Sequence, residues 1–217
     1  MSIKESYTVR QIPREQVRNW LLRKHYAHRI PSISYAFGLY NNESILQGVC
    51  TVGYPPNYEY NEGRCIFHQY RVLTLELNRL VVNEGLPPNS LSYFVAQTLK
   101  LLPHPCCIVS YSDPNQGHHG YIYQSTNWIY TGVSTGKEQY TFETGEVYDL
   151  RRGVDKKGKL ISTVKLLPTH RYLKLLGTKR EIKQMMDDLK MSIVPYPKGD
   201  NIRYDASYEP TTQGVLI

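Results

Sequence analysis

Apolar and polar positions alternate along this chain with two periods, and the changes of period divide it into elements. "YTVRQI" (Tyr7 to Ile12) alternates like a strand. Pro13 can then open a helix at its first turn, where a missing N–H is tolerated. Val17, Trp20, Leu21, Lys24, His25 and His28 fall on one helical stripe that is apolar at first and polar in its last turn. The helix must stop before Ile30-Pro31, because a proline disfavours the helical conformation in its predecessor. "ISYAFGLY" and "SILQGVCTVGY" predict two strands joined by a turn at Asn41-Asn42. "YRVLTLELNRLVV" (Tyr70 to Val82) predicts a long strand. Counting by two puts Leu73, Leu75, Leu77 and Arg79 on one face and Glu76 on the other.

Beyond the turn "NEGLPPN", Leu91, Phe94, Val95, Thr98, Leu99 and Leu102 give an i, i+3, i+4, i+7 stripe, which predicts a helix over 90–102. "CCIVSYS" is a short apolar run suited to a buried parallel strand. A helix over about 119–126 and a strand at "NWIYTGV" follow. "KEQYTFETGEVYDLRR" predicts a hairpin turning at Thr144-Gly145, and "VDKKGKLIS" a basic turn. Thr178 can cap a helix to Met191 that faces the core with Ile182, Met185, Met186 and Leu189. The tail from Asn201 reads as extended. The order of elements implies a mixed α/β fold, with a catalytic core over 1–134 and a basic C-terminal extension over 135–217 packed on it.

The 217 residues carry a net charge of +7, unevenly spread. Between Arg151 and Lys190 stand 12 Lys and Arg against 4 Asp and Glu, and the rest of the chain is close to neutral. A smaller excess lies from Arg10 to Arg29. Such asymmetry suggests a polyanionic partner, nucleic acid first, or else a solvated basic face. The four cysteines lack CxxC spacing, and the adjacent Cys106-Cys107 pair reads as buried, reduced thiol. No apolar run approaches the ~20 residues that span a bilayer, so the expectation is a soluble, cytoplasmic protein.

The candidate chemistry gathers in "SYSDPNQGHHGYIYQSTNWIYTG". Asp113 follows an apolar strand at its carboxyl end, where open α/β sheets place ligands. With Pro114 after it, Asp113 also fits a helix cap. Tyr121 and Tyr123 cannot share a helix face, so at most one lines a cleft, and an amphipathic core role competes for each. His25 is either a base near neutral pH or a histidine that caps a helix end. Arg79 interrupts an apolar strand and needs an anionic partner, either Asp113 or a phosphate. His25, His28, His68, His118 and His119 could supply metal ligands, although no HxD or HExxH spacing occurs.

The order of elements resembles that of the GNAT acyltransferases. By that resemblance, the long strand and the turn after it would hold acyl-CoA through Leu80, Val81 and Val82 and through the helix start at Asn89, Ser90, Leu91 and Ser92. Pro87-Pro88-Asn89 stands where that family has a glycine-rich turn. A closer resemblance covers roughly residues 23–132. "KHY" (Lys24 to Tyr26), "ELNRL" (Glu76 to Leu80), "LPPNS" (Leu86 to Ser90), "SYSD" (Ser110 to Asp113) and "GYIYQSTNW" (Gly120 to Trp128) occur in the order found in the phage Mom family. These GNAT-like enzymes modify adenine in phage DNA with an N6-methylcarbamoyl group that shields it from host restriction. The resemblance implies catalytic roles for His25, Tyr26, Arg79, Ser110, Asp113 and Tyr123, with double-stranded DNA as substrate. A methylcarbamoyl group joins N6 through a methylene carbon, which simple acyl transfer does not make, so an oxidative step with iron enters as an option. Arg151, Arg152, Lys156, Lys157 and Lys159 would hold the DNA backbone. An acyltransferase acting on a small amine or a protein lysine is the competing expectation, and a DNA-binding module without catalysis is the third.

Overall fold

The computed structural model describes residues 3–148 and 158–199. The chain opens with a single helical turn, α1 (Ile3–Ser6), and enters the sheet at β1 (Tyr7–Gln11). β2 (Tyr35–Asn41), β3 (Leu46–Gly53) and β4 (Leu73–Val82) follow, with the short α2 (Tyr58–Asn61) between the last two. Then come α3 (Ser90–Lys100), β5 (Cys106–Ser112), α4 (Tyr121–Ser125) and β6 (Ile129–Val133). β7 (Lys137–Phe142), β8 (Val147–Tyr148) and β9 (Leu160–Leu166) build a separate small sheet in the order β8-β7-β9. β10 (His170–Leu176) and α5 (Lys179–Asp187) complete the described part. Among the described residues, no helix is long and apolar enough to cross a membrane.

The main sheet runs β1-β2-β3-β4-β5-β10-β6. Its ladders are antiparallel except for the β4–β5 pair, which is parallel. On one face, Leu75, Leu77, Ile108 and Tyr172 pack against Phe94, Val95 and Leu99 of α3 and Tyr123 of α4. On the other face, Val109, Leu173 and Leu175 pack beneath Met185 of α5. Trp20 and Leu21 close the β1–β4 end of that face over Ala36, Val49 and Val81. Full burial of an apolar side chain of this size stabilises the fold by roughly 1.5–3 kcal/mol.

The residues after 134 are more than an extension. β10 fills the slot between β5 and β6 inside the central sheet, so the core is not complete without it. Neither β9 nor β10 stands out in the sequence. Arg171 and Lys174 break the apolar pattern of β10, yet both are satisfied sideways. Arg171 donates to the hydroxyl and carbonyl of Thr131, and Lys174 to the carbonyls of Thr126 and Asn127. Thr178 caps α5 as expected, Glu181 reaches back to the cap amide to complete a capping box, and the helix ends at Asp187 instead of Met191.

Two local departures position the functional side chains. The helix after Pro13 is a 3-10 turn (Arg14–Val17) that leads through Asn19 into a π-helical turn (Trp20–Lys24). It ends at Lys24, with His25 already extended at φ −79, ψ 132. The wider π turn keeps Lys24 on the buried side, where its Nζ meets Glu84 at 2.5 Å. The second departure is a β-bulge. Thr51 pairs with Arg79 and Val52 with Leu77, so Asn78 is the extra residue on β4. The insertion rephases the strand. Arg79 therefore does not share the face of Leu73, Leu75 and Leu77, and it lies on the same side as Glu76.

Candidate active site

The parallel ladder between β4 and β5 ends at the Glu76–Val109 pair, although β4 runs on to Val82 and β5 to Ser112. Past that rung the two strands diverge and leave a wedge. Ser110 stands at its apex. The Ser110 Oγ lies 2.7 Å from the Leu77 carbonyl oxygen and 2.7 Å from the Tyr123 phenol oxygen. Its one proton serves one partner. With that proton on Leu77, the Tyr123 phenol donates to Ser110. Tyr123 is only 7% exposed, with its ring between Trp128 and Tyr172, and burial pushes its phenol above the ordinary value. The other tyrosine of this helix, Tyr121, faces solvent. Gly120 caps α4 in the left-handed conformation (φ +81), and a Cβ there would lie 2.4 Å from the Tyr172 ring.

On the opposite face of the wedge, Glu76, Arg79, His25 and Tyr26 form one electrostatic group. Burial raises the Glu76 carboxyl above its ordinary range despite the positive charges of Arg79, Lys137 and Arg29. The Arg79 Nη1 donates to the Asn78 carbonyl at 2.5 Å, and its Nε is buried without a partner. Burial, then the nearby Arg29 charge, lowers the guanidinium from its ordinary value, but it stays charged. His25 is buried, and burial first, then Arg79, takes its pKa down to about 3. The Ala27 N–H donates to the His25 Nδ1 at 3.0 Å, so the neutral ring carries its proton on Nε2. With Nδ1 engaged by the Ala27 amide, His25 presents its Nε2–H as a hydrogen-bond donor. Its ring stacks on Tyr26 at 4.3 Å, and the edge of His118 meets Tyr26 at 5.6 Å.

Asp113 takes the capping alternative. Its Oδ1 accepts from the Asn115 backbone N–H at 2.9 Å and from the Asn115 side-chain amide at 2.7 Å. Asn115 in turn exchanges two 3.0 Å hydrogen bonds with the backbone of Leu167. The Asp113 charge still bears on the Tyr26 phenol. Sequence reasoning gave no role to Glu76 itself or to Tyr111 and Arg171, which face each other on β5 and β10 on the Glu76 side of the sheet. An acid within an apolar strand was the available signal for Glu76, and the bulge hid its neighbourhood.

For a nucleotide cofactor, the relevant groups are backbone ones. Leu80 and Val82 turn their side chains into the α3-side core and Val81 into the opposite layer, which leaves main chain at the wedge. Asn89 caps α3 in the left-handed conformation (φ +67) and makes no side-chain cap. The hydroxyls of Ser90 and Ser92 turn back to the Pro87 and Asn89 carbonyls. The Leu91 and Ser92 amides therefore sit in the first turn, where a helix offers them no carbonyl. Iron finds no comparable donor set: among the described residues, no three His, Cys, Asp or Glu side chains gather as ligands. Of the basic residues expected to hold DNA, Lys159 is exposed, and Arg151, Arg152, Lys156 and Lys157 lie outside the described residues.

The Mom protein family model matches residues 6–198. The chain belongs to the Mom family. One relative of this Mom-family chain is methylcarbamoylase mom of Escherichia phage Mu, 26% identical over 213 residues and aligned over 88% of this chain and 86% of its own length. Solved structures similar to it include the spermidine/spermine N-acetyltransferase SpeG from Vibrio cholerae (TM-score 0.46, 10% identity, 80% of this chain and 95% of that one). Another is the GNAT family N-acetyltransferase YhbS from Escherichia coli in complex with CoA (TM-score 0.40, 13% identity, 57% and 68%). The architecture of the Mom-family chain, a mostly antiparallel sheet with a single parallel pair and flanking helices, is the mixed α/β one expected from the sequence.

Proposed function

We propose that this chain is a DNA-modifying transferase that brings acyl-CoA to the N6 amine of adenine in double-stranded DNA, the finished mark being an N6-methylcarbamoyl group that protects phage DNA from restriction. Membership of the Mom family and the named activity of the phage Mu relative support the substrate and product. The structural observation that carries the reading is the β4–β5 wedge, with Ser110 and Tyr123 on one side and Glu76, Arg79, His25 and Tyr26 on the other.

Acyl-CoA, when bound, supplies its group as a thioester. The unpaired edge of β4 beyond Leu77 offers backbone groups to its amide-bearing arm, and the open Leu91 and Ser92 amides suit its phosphates. An exocyclic amine on a purine is a weak nucleophile and must lose a proton as it reacts. Glu76, whose carboxyl burial has moved toward neutrality, accepts that proton better than an ordinary carboxylate would. Tyr26 offers a ring on which an extruded adenine stacks, since a base inside the duplex cannot reach a cleft. The His25 Nε2–H and the Arg79 guanidinium hold acceptor atoms of the base or its phosphate. Asp113 maintains the turn that carries His118 to Tyr26. The mark is linked through a methylene carbon, so acyl transfer chemistry accounts for the meeting of donor and amine and not for the whole reaction.

The test is to digest DNA from cells producing the protein to nucleosides and weigh them. A mass-shifted adenine nucleoside is expected, lost in Glu76→Gln. Unmodified DNA together with acylated small amines would assign the chain to amine acylation instead.

A further inference from the structure

The β7–β9 ribbon is an insertion between two neighbouring strands of the main sheet. It leaves after β6 and returns into β10, and its neck is closed by the Ser134 amide on the Thr169 carbonyl at 2.8 Å and by the two hydroxyls of these residues at 2.7 Å. Its foot is fixed to the active-site end of the sheet. Leu167 is held on both backbone groups by Asn115, and Asn115 by Asp113. The ribbon also has an identifiable site side. Lys137, Gln139 and Thr141 share one face by period two, and their partners Val164 and Ser162 share it with them. The Lys137 charge bears on Glu76, so the root of this face lies near the site.

This surface is unusual for a free-standing sheet. Val164 is 51% exposed, and Ile161, the extra residue of a second bulge opposite Thr141 and Phe142, is 64% exposed. A bulge re-aims the side chain it carries. The described part of the ribbon carries the cations Lys137, Lys159 and Lys165. Its acids are Glu138, Glu143 and Glu146, of which Glu138 accepts from the Tyr140 phenol and Glu143 from the Lys159 amide. The site side thus presents the exposed aliphatic side chains of the outer strand beside Lys137 and Lys159, with Lys165 on the other face opposite Glu138, and aliphatic groups flanked by cations suit base edges flanked by phosphates. A second copy of this chain, carrying the same positive charge, would be repelled.

Resting on the proposed function above, we infer that the β7–β9 ribbon is a DNA-gripping arm whose site-facing side follows the groove beside the extruded adenine, with Val164 and Ile161 against base edges and Lys137 and Lys159 on phosphates. Seven residues of β9 at ~3.3 Å each give the arm a reach of about 20 Å, or roughly six base pairs at ~3.4 Å per step.

The test uses the full chain and a fluorescent adenine-containing duplex at low salt. Val164→Glu and Ile161→Glu each place a carboxylate on an exposed position, and each is expected to weaken duplex binding about tenfold or more without lowering the melting temperature. Ile193→Glu, 54% exposed on the segment beside Trp128 and Tyr130, adds the same charge away from the arm and is expected to bind as wild type. Ribbon variants that bind like wild type, or no more weakly than Ile193→Glu, overturn the arm while leaving the DNA reading in place. A wild-type protein that binds no duplex overturns both. Concentration-dependent dimers abolished by Val164→Glu would make this surface a self-association face and also overturn the arm.

Discussion

Replacing Tyr123 by Phe removes one oxygen and little else, so its two consequences can be separated in size. The phenol is buried, and its nearest polar partner is the Ser110 hydroxyl at 2.7 Å. Ser110 keeps the Leu77 carbonyl in the variant, and the net loss of a buried hydrogen bond of this kind is about 1 kcal/mol. For a chain of this size that is a fall in melting temperature of roughly 2–4 °C, which leaves the protein folded at assay temperature. Activity should change much more. Burial pushes the phenol above its ordinary value near 10, whereas a leaving thiol has an ordinary value of about 8.5. Full proton transfer from Tyr123 to the departing thiolate is then uphill. On the proposed function, the Ser110 proton turns from Leu77 to the phenol oxygen, and the freed phenol proton stabilises developing charge as a hydrogen-bond donor, a contribution of about 1.5–3 kcal/mol, or roughly a 10- to 150-fold loss of rate in Tyr123→Phe. The assay is the initial rate of adenine modification in purified duplex DNA, read by nucleoside mass spectrometry, beside a thermal melt. A variant that modifies DNA at the wild-type rate while losing the expected few degrees would show that the phenol is a packing residue and remove its role.

Two further predictions concern the frame of the site. His25 has a folded-state pKa of about 3 against an ordinary 6.5, so its contribution to stability is whole above pH 6.5 and is lost as pH falls toward 3. Between about pH 7 and about pH 4.5 the loss from this group is on the order of 2–3 kcal/mol. His25→Gln should show a correspondingly flatter acid limb in urea unfolding, and an acid limb as steep as wild type would refute the assignment. Gly120→Ala drives a Cβ into the Tyr172 ring at a positive φ, and should cost at least ~1–2 kcal/mol. An unchanged melting temperature would contradict the tight approach of α4 to β10.

The parts of the fold legible in the sequence were those whose apolar residues keep a clean period or form an unbroken run. The stripe of α3 and the alternation of β1 follow from one buried face, and the apolar runs of β2, β3 and β5 from strands covered on both faces. β10 was hidden because Arg171 and Lys174 interrupt its apolar run and donate sideways to oxygens of neighbouring segments, so "HRYLKLL" reads like a basic surface segment. The same contacts lower the amount of free charge in the basic region, since Arg171, Lys174 and Lys190 all donate to backbone or neighbouring oxygens. At the site, the motifs identified His25, Tyr26, Arg79, Ser110, Asp113 and Tyr123, and the structure joins Ser110 to Tyr123 and His25 to Tyr26 and Arg79. Their roles were less legible. Counting by two cannot see the additional residue at Asn78 that brings Arg79 beside Glu76, and residue type alone cannot show that a histidine is locked neutral by burial.

The Ser134–Thr169 neck has a consequence for how such a protein could diversify. Everything between those two hydroxyls is a cassette plugged into an otherwise closed framework, and both ends of the plug lie side by side. Lineages could lengthen, shorten or recharge the cassette without disturbing the strand pairing of the framework. Cutting the chain at that same point would do the reverse and leave the framework with an open slot in its middle.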